Sequence, residues 1–237
     1  MTSTAKRMTD ETAAPAAAPT ARIAVWDLPT RVFHWILVGL IAFSWWTGKQ
    51  GEEDLHFYSG YAVLMLLIFR LLWGFFGSST ARFSSFVRGP RAVADYVGRM
   101  RTWPGIGHTP LGALSVVALM LLLFVQVATG LIQTDDDGLV EGPLAPLVSY
   151  DVSDAAHELH EVTFNVLLVL IGLHVAAVLF YRFGLGKKLL IPMVTGRAQL
   201  DPSTEPMRPG KGWVAIICLI AALGLTRWII AGAPPLG

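Results

Sequence analysis

Six histidines lie in or beside apolar stretches of this chain: His34, His56, His108, His157, His160 and His174. An ionisable side chain inside a bilayer is costly, and those that persist usually serve a function. His160 and His174 are 14 residues apart, which is close to four helical turns and about 21 Å of rise. Their side chains share one face of one helix at two depths. If each finds a partner on a neighbouring helix, two pairs of neutral imidazoles result, and such a pair supplies the two axial nitrogens of a haem iron. A zinc ion asks instead for three or four ligands at one point. A proton pathway uses a chain of ionisable groups.

The elements that must position these residues are long apolar helices. Of 237 residues, 54% are hydrophobic and only 15% charged, and the mean hydropathy is +0.55. A soluble domain carries about 25% charged residues. The apolar residues fall in five blocks, at about 32–47, 55–76, 109–132, 157–181 and 213–230. Each is near the roughly 20 residues that a bilayer crossing needs. The first is short and must borrow flanking aromatic residues, and the fifth carries Arg227 near its end. The expected fold is all-α: an integral membrane four-helix haem-binding bundle with a fifth transmembrane helix. Residues 1–22, rich in Ala, Pro and Thr, read as a disordered tail. Residues 23–197 read as the di-haem core, and residues 198–237 as a linker with the fifth span.

Cys218 is the one cysteine. It excludes an intrachain disulfide, a thiol-rich metal site and covalent c-type haem attachment. The net charge of +1 gives no reason to expect nucleic acid. The charges alternate between loops. Lys6, Arg7, Arg22 and Arg31 precede the first span, and five arginines from Arg82 to Arg101 follow the second. Another six basic residues, from Arg182 to Lys211, follow the fourth. The loop after the first span holds Lys49 beside Glu52, Glu53 and Asp54. The loop after the third is acidic, with Asp135, Asp136, Asp137, Glu141, Asp151 and Asp154. Basic short loops stay on the cytoplasmic side. The expected location is a bacterial inner membrane, with a cytoplasmic N-terminus and a periplasmic C-terminus. The segment between the second and third spans reads as a basic interfacial helix lying on anionic lipid.

This topology gives each histidine a depth. His34 starts the first span at the inner face, and His56 starts the second at the outer face. On the fourth span His160 is outer and His174 inner. The pairs are therefore His34 with His174 and His56 with His160. His157 is about 100° off the face of His174 at 3.6 residues per turn, so His160 is the better ligand. Gly39, Gly60, Gly130 and Gly172 are places where a flat ring system could approach a backbone, or where helices simply pack closely. Arg31 and Arg70 fall near the inner pair. They suit haem propionates, and equally suit anchoring at a positive inner surface. His108, just before the third span, is a further propionate candidate.

The stretches VWDLPTRVFHW, LHFYSGYAVLMLLIFRLLWGFFG, GHTPLG and HELHEVTFNVLLVLIGLHVAAV resemble those of the bacterial cytochrome b561 and nickel-iron hydrogenase b-type cytochrome family, over roughly residues 25–197. The resemblance implies two bis-histidine haems b, with axial positions on His34, His56, His160 and His174. It implies electron transfer between membrane quinone and a redox partner, a c-type cytochrome or a hydrogenase-like protein. That makes the chain an electron-transfer subunit of a quinone-linked oxidoreductase in a respiratory chain. Some members of the family suggest a stand-alone superoxide-oxidising quinone reductase instead. A histidine-based proton or zinc transporter is the reading from a third class. The acidic loop could dock a basic partner by charge complementarity, or simply obey the topology rule. A homodimer is compatible with the sequence. The fifth span lies outside the resemblance.

Overall fold

A computed structural model describes residues 20–234 apart from residues 104, 136, 137 and 139. The N-terminal tail up to residue 19, Asp136 and Asp137 of the acidic loop, and the C-terminal residues from 235 on therefore lie outside the described part. Eight α-helices and a two-stranded ribbon run in the order β1 (Ala21–Ala24), α1 (Leu28–Gln50), α2 (Glu53–Phe76), α3 (Phe83–Phe86), α4 (Pro90–Val97), α5 (Pro110–Ile132), α6 (Tyr150–Phe183), α7 (Leu190–Thr195), β2 (Arg197–Leu200) and α8 (Gly212–Ile230). Five of them, α1, α2, α5, α6 and α8, are long and apolar enough to cross a membrane.

Local chemistry sets the ends of these helices. Asp27 caps α1 by accepting from Thr30 N at 2.6 Å, with Pro29 in the first turn. Thr109 caps α5 by accepting from Gly112 N at 3.0 Å, with Pro110 as the first helical residue. Such caps satisfy backbone donors that the first turn leaves free. Gly51 ends α1 at φ +71, the left-handed geometry that glycine adopts without strain. Glu53 and Asp54 in the first turn of α2 complement the positive end of its dipole.

α2 is the centre of the bundle. It packs against α1, α5 and α8, while α5 packs against α6. Val63 and Leu67 of α2 meet Leu123 of α5 and Leu167 of α6 in one core cluster, with Leu37, Leu40 and Ile41 of α1 against them. Trp45 of α1 approaches Phe164 of α6, with ring centroids 6.4 Å apart, which closes the ring of four helices. On the other face of α2, Leu66, Phe69 and Trp73 cluster with Cys218 and Ala222 of α8. The outward faces keep large apolar residues exposed, among them Trp46, Leu173 and Ile220. That is the surface expected of helices solvated by lipid.

α6 has 34 residues, a length of about 51 Å by helical rise. It begins two turns before the apolar block read from sequence, because residues 150–156, with Asp151, Ser153 and Asp154 among them, are also helical. β1 and β2 pair antiparallel, Ala21 opposite Leu200 and Ala24 opposite Arg197. The domain boundaries read at residues 22 and 197 both fall inside this ribbon. Ala21 and Arg22 lie in its first strand and Ala198 to Leu200 in its second. The ribbon is continued by Val25 N and Trp26 N, which donate to Gly196 O at 2.8 and 3.1 Å. The basic segment after α2 folds as two short helices, α3 and α4. Tyr96 of α4 and Tyr181 of α6 share a buried 2.6 Å hydrogen bond between their hydroxyls. Lys187 Nζ donates to Met100 O at 2.7 Å, a second tie at this end of the bundle.

Candidate functional site

His56, near the start of α2, and His160, on α6, face each other with ring centroids 6.1 Å apart and ring planes 78° apart. Two imidazoles bound to one ion from opposite sides hold their centroids about 6 Å apart at bond lengths of about 2 Å. Each ring is held from the neighbouring helix in the same way. His56 Nδ1 lies 2.9 Å from Ser44 O of α1. A carbonyl only accepts, so Nδ1 carries the proton and Nε2 keeps its lone pair. His160 Nδ1 lies 3.1 Å from Thr129 Oγ1 of α5. Glycines complete the two cradles. A Cβ on Gly48 would stand 3.1 Å from His56 Nδ1, and one on Gly130 would stand 3.0 Å from His160 Cε1.

The other two histidines of the expected set are at the opposite end. His34, in the second turn of α1, and His174 of α6 are close enough for the charge of one to act on the other. His34 Nδ1 is shielded from solvent and has no hydrogen-bond partner among the described residues. His174 Nδ1 has only Ser115 Oγ, at 3.4 Å. At His56 and His160 the hydrogen bonds are made by Nδ1, which leaves Nε2 clear of them.

His108 and Arg70 border this second pair. The His108 ring sits between Trp26 and Phe86, with centroid distances of 4.6 and 4.4 Å. Desolvation there pushes its pKa down to about 3, helped by the charge of Arg70 and then by His174 and His34. Its Nδ1 has no partner among the described residues. Arg70 is 2% exposed, lies over the Phe83 ring at 5.0 Å, and has Nη1 without a partner among the described residues. A buried guanidinium with a donor to spare calls for an anion. The carboxylate of Asp27 acts on its charge, but already accepts from Thr30 N, Trp73 Nε1 and Ser78 Oγ. A haem propionate fits that unmet need.

Arg31 is placed differently from Arg70. Its Nη1 donates to Val194 O at 2.5 Å, which ties α1 to the end of α7, while its Nε, like Arg70 Nη1, is buried without a partner among the described residues. A Cβ on Gly39, Gly60 or Gly172 would meet nothing within 4 Å, so of the four glycines read from sequence only Gly130 touches a histidine. His157 stands three residues before His160 on α6. Sequence reasoning missed Ser44, Gly48, Thr129, Ser115 and Asp27. For Ser44 and Gly48 a signal existed, since a Ser and a Gly one turn apart on α1 mark a face open to close approach. The accepting carbonyl of Ser44 leaves no trace in residue type.

A zinc site needs several ligands at one point, and no group of three or more His, Cys, Asp or Glu side chains gathers among the described residues. The geometry is one of separated pairs. The sequence model of the prokaryotic cytochrome b561 family matches residues 25–196, well over half of the chain. No curated protein and no solved structure matches it.

Proposed function

The chain belongs to the prokaryotic cytochrome b561 family, and from that premise we propose that it holds two haems b and carries electrons between membrane quinone and a redox partner protein. It is a multi-pass membrane protein and a b-type cytochrome of electron transfer, as its family and its five apolar helices have it. The facing pair of His56 and His160 carries the two-haem reading, because its spacing suits one ion between two Nε2 atoms. His34 and His174 take the same roles at the inner end.

Bound haem supplies reversible one-electron chemistry there. The protein's own groups do the rest. His34, His56, His160 and His174 would hold the haem irons, each with its Nε2, and would supply ligands for electron transfer rather than for oxygen binding. Ser44 and Thr129 fix ring orientation from a neighbouring helix, as outer-shell acceptors do for metal ligands. Arg70 and His108 would hold the inner propionates, with His108 as a neutral donor or acceptor. Val63, Leu67, Leu123 and Leu167 fill the bundle between the pairs and keep water out.

The orientation that suits the loop charges puts His56 and His160 at the outer face. The acidic loop then meets the partner, a c-type cytochrome or hydrogenase-like protein. A reduced-minus-oxidised spectrum with haem quantification tests the reading: two haems b per chain support it, and one or none refutes it. A superoxide-oxidising quinone reductase is the second reading. Rapid haem reduction by superoxide, with quinone as acceptor and no partner protein, would favour it.

A further inference from the structure

The two histidine pairs are held unequally. At the outer pair, His56 Nδ1–H donates to Ser44 O at 2.9 Å. Thr129 has one hydroxyl proton, and it is directed to the carbonyls of Val125 and Gln126 at 3.0 and 2.9 Å. The Thr129 oxygen therefore accepts from His160 Nδ1 at 3.1 Å. Both outer imidazoles thus donate from Nδ1 to an oxygen. At the inner pair, His34 Nδ1 has no partner among the described residues, and His174 Nδ1 has a 3.4 Å contact with Ser115 Oγ.

A donated N–H bond pushes electron density onto the ring and raises the basicity of the ligating nitrogen. A more basic ligand favours the oxidised iron and lowers the potential. The surrounding charges act in the same direction. Glu158 and Glu161 flank His160 on α6, and Asp54 lies two residues before His56, all exposed. At the other end the charges are positive: the buried Arg70 acts on His108, and Arg31 lies three residues before His34. Negative charge near a site disfavours added electrons and positive charge favours them.

We infer that the haem between His56 and His160 has the lower reduction potential, that Ser44 and Thr129 are positioning groups that set it, and that electrons run downhill from this pair to His34 and His174. The inference rests on the two-haem reading above. In that step the first iron loses one electron and the second gains it, and no ligand changes.

Redox titration of the purified full-length protein, followed in the visible haem bands, tests this. His34→Ala keeps the outer haem and His160→Ala keeps the inner one. The outer midpoint should be lower by on the order of tenfold in equilibrium constant, about 59 mV for one electron. Equal midpoints, or the reverse order, overturn the inference. In the chain with all four histidines, Thr129→Val should raise the outer midpoint and leave the inner one in place, and Thr129→Ser should restore it. An unmoved outer midpoint with haem retained overturns the role of Thr129. Should Thr129→Val shed haem, the two single-haem variants still decide the order. Haem stoichiometry is read in the same samples. If His34→Ala and His160→Ala deplete one and the same component, the pairing fails and the inference with it.

Discussion

His56 and Gly48 meet edge-on across the α1–α2 contact, and His160 and Gly130 repeat that meeting across α5 and α6. A Cβ at Gly48 would reach His56 Nδ1 at 3.1 Å, and a Cβ at Gly130 would reach His160 Cε1 at 3.0 Å. Each histidine ring thus relies on the smallness of the residue facing it on the neighbouring helix. Gly48→Val and Gly130→Val should each reduce the outer haem component severalfold while leaving the inner one. Gly224→Ala on α8, where a Cβ meets nothing within 4 Å, should change neither. Haem content and component ratio in the visible spectrum check this.

Asp27 gathers three donors: Thr30 N from the helix it caps, and Trp73 Nε1 and Ser78 Oγ from the end of α2. It caps α1 just ahead of His34 and fixes the end of α2. Asp27→Ala removes a cap worth about 1 kcal/mol and orphans two further donors at roughly 1–3 kcal/mol each. The thermal midpoint of the detergent-solubilised protein should fall by several degrees, with loss of the inner haem before the outer. An unchanged midpoint would show that water or another group replaces the carboxylate.

His108 predicts a pH dependence. Its pKa is about 3 in the folded protein against 6.5 for a free histidine. Below pH 6.5 the unfolded chain takes up a proton there that the folded chain refuses. The contribution to stability is full above 6.5 and is lost as pH falls towards 3. His108→Gln should flatten this slope when stability is followed between pH 7 and pH 4. A slope unchanged by the substitution would assign the acid sensitivity elsewhere.

The charge alternation places Gly237 in the periplasm if all five apolar helices cross. A phosphatase reporter fused there should be active, and a fusion in the loop between α2 and α3 should be inactive. The opposite pattern would reverse the topology and exchange the faces assigned to the two histidine pairs.

The five apolar helices were legible because apolar length is written in side chains. Arg70 was legible as a cation within the second apolar block. What stayed hidden depends on packing between distant segments. The Ser44 carbonyl is backbone and looks the same for every residue type. The pairing of Ala21–Ala24 with Arg197–Leu200 joins segments more than 170 residues apart, and neither strand is long or apolar enough to announce itself. Arg31 has the same charge as Arg70, yet it is drawn to the Val194 carbonyl at 2.5 Å by the turn that ends α7. Charge and depth alone could not separate the two.

The central claim is that four histidines form two separate axial pairs. Single His→Ala variants at positions 34, 56, 160 and 174, each measured for haem per chain and for the component lost, test it most directly. Every variant should retain one haem, with His34→Ala matching His174→Ala and His56→Ala matching His160→Ala. Loss of the same component by His34→Ala and His56→Ala would contradict it.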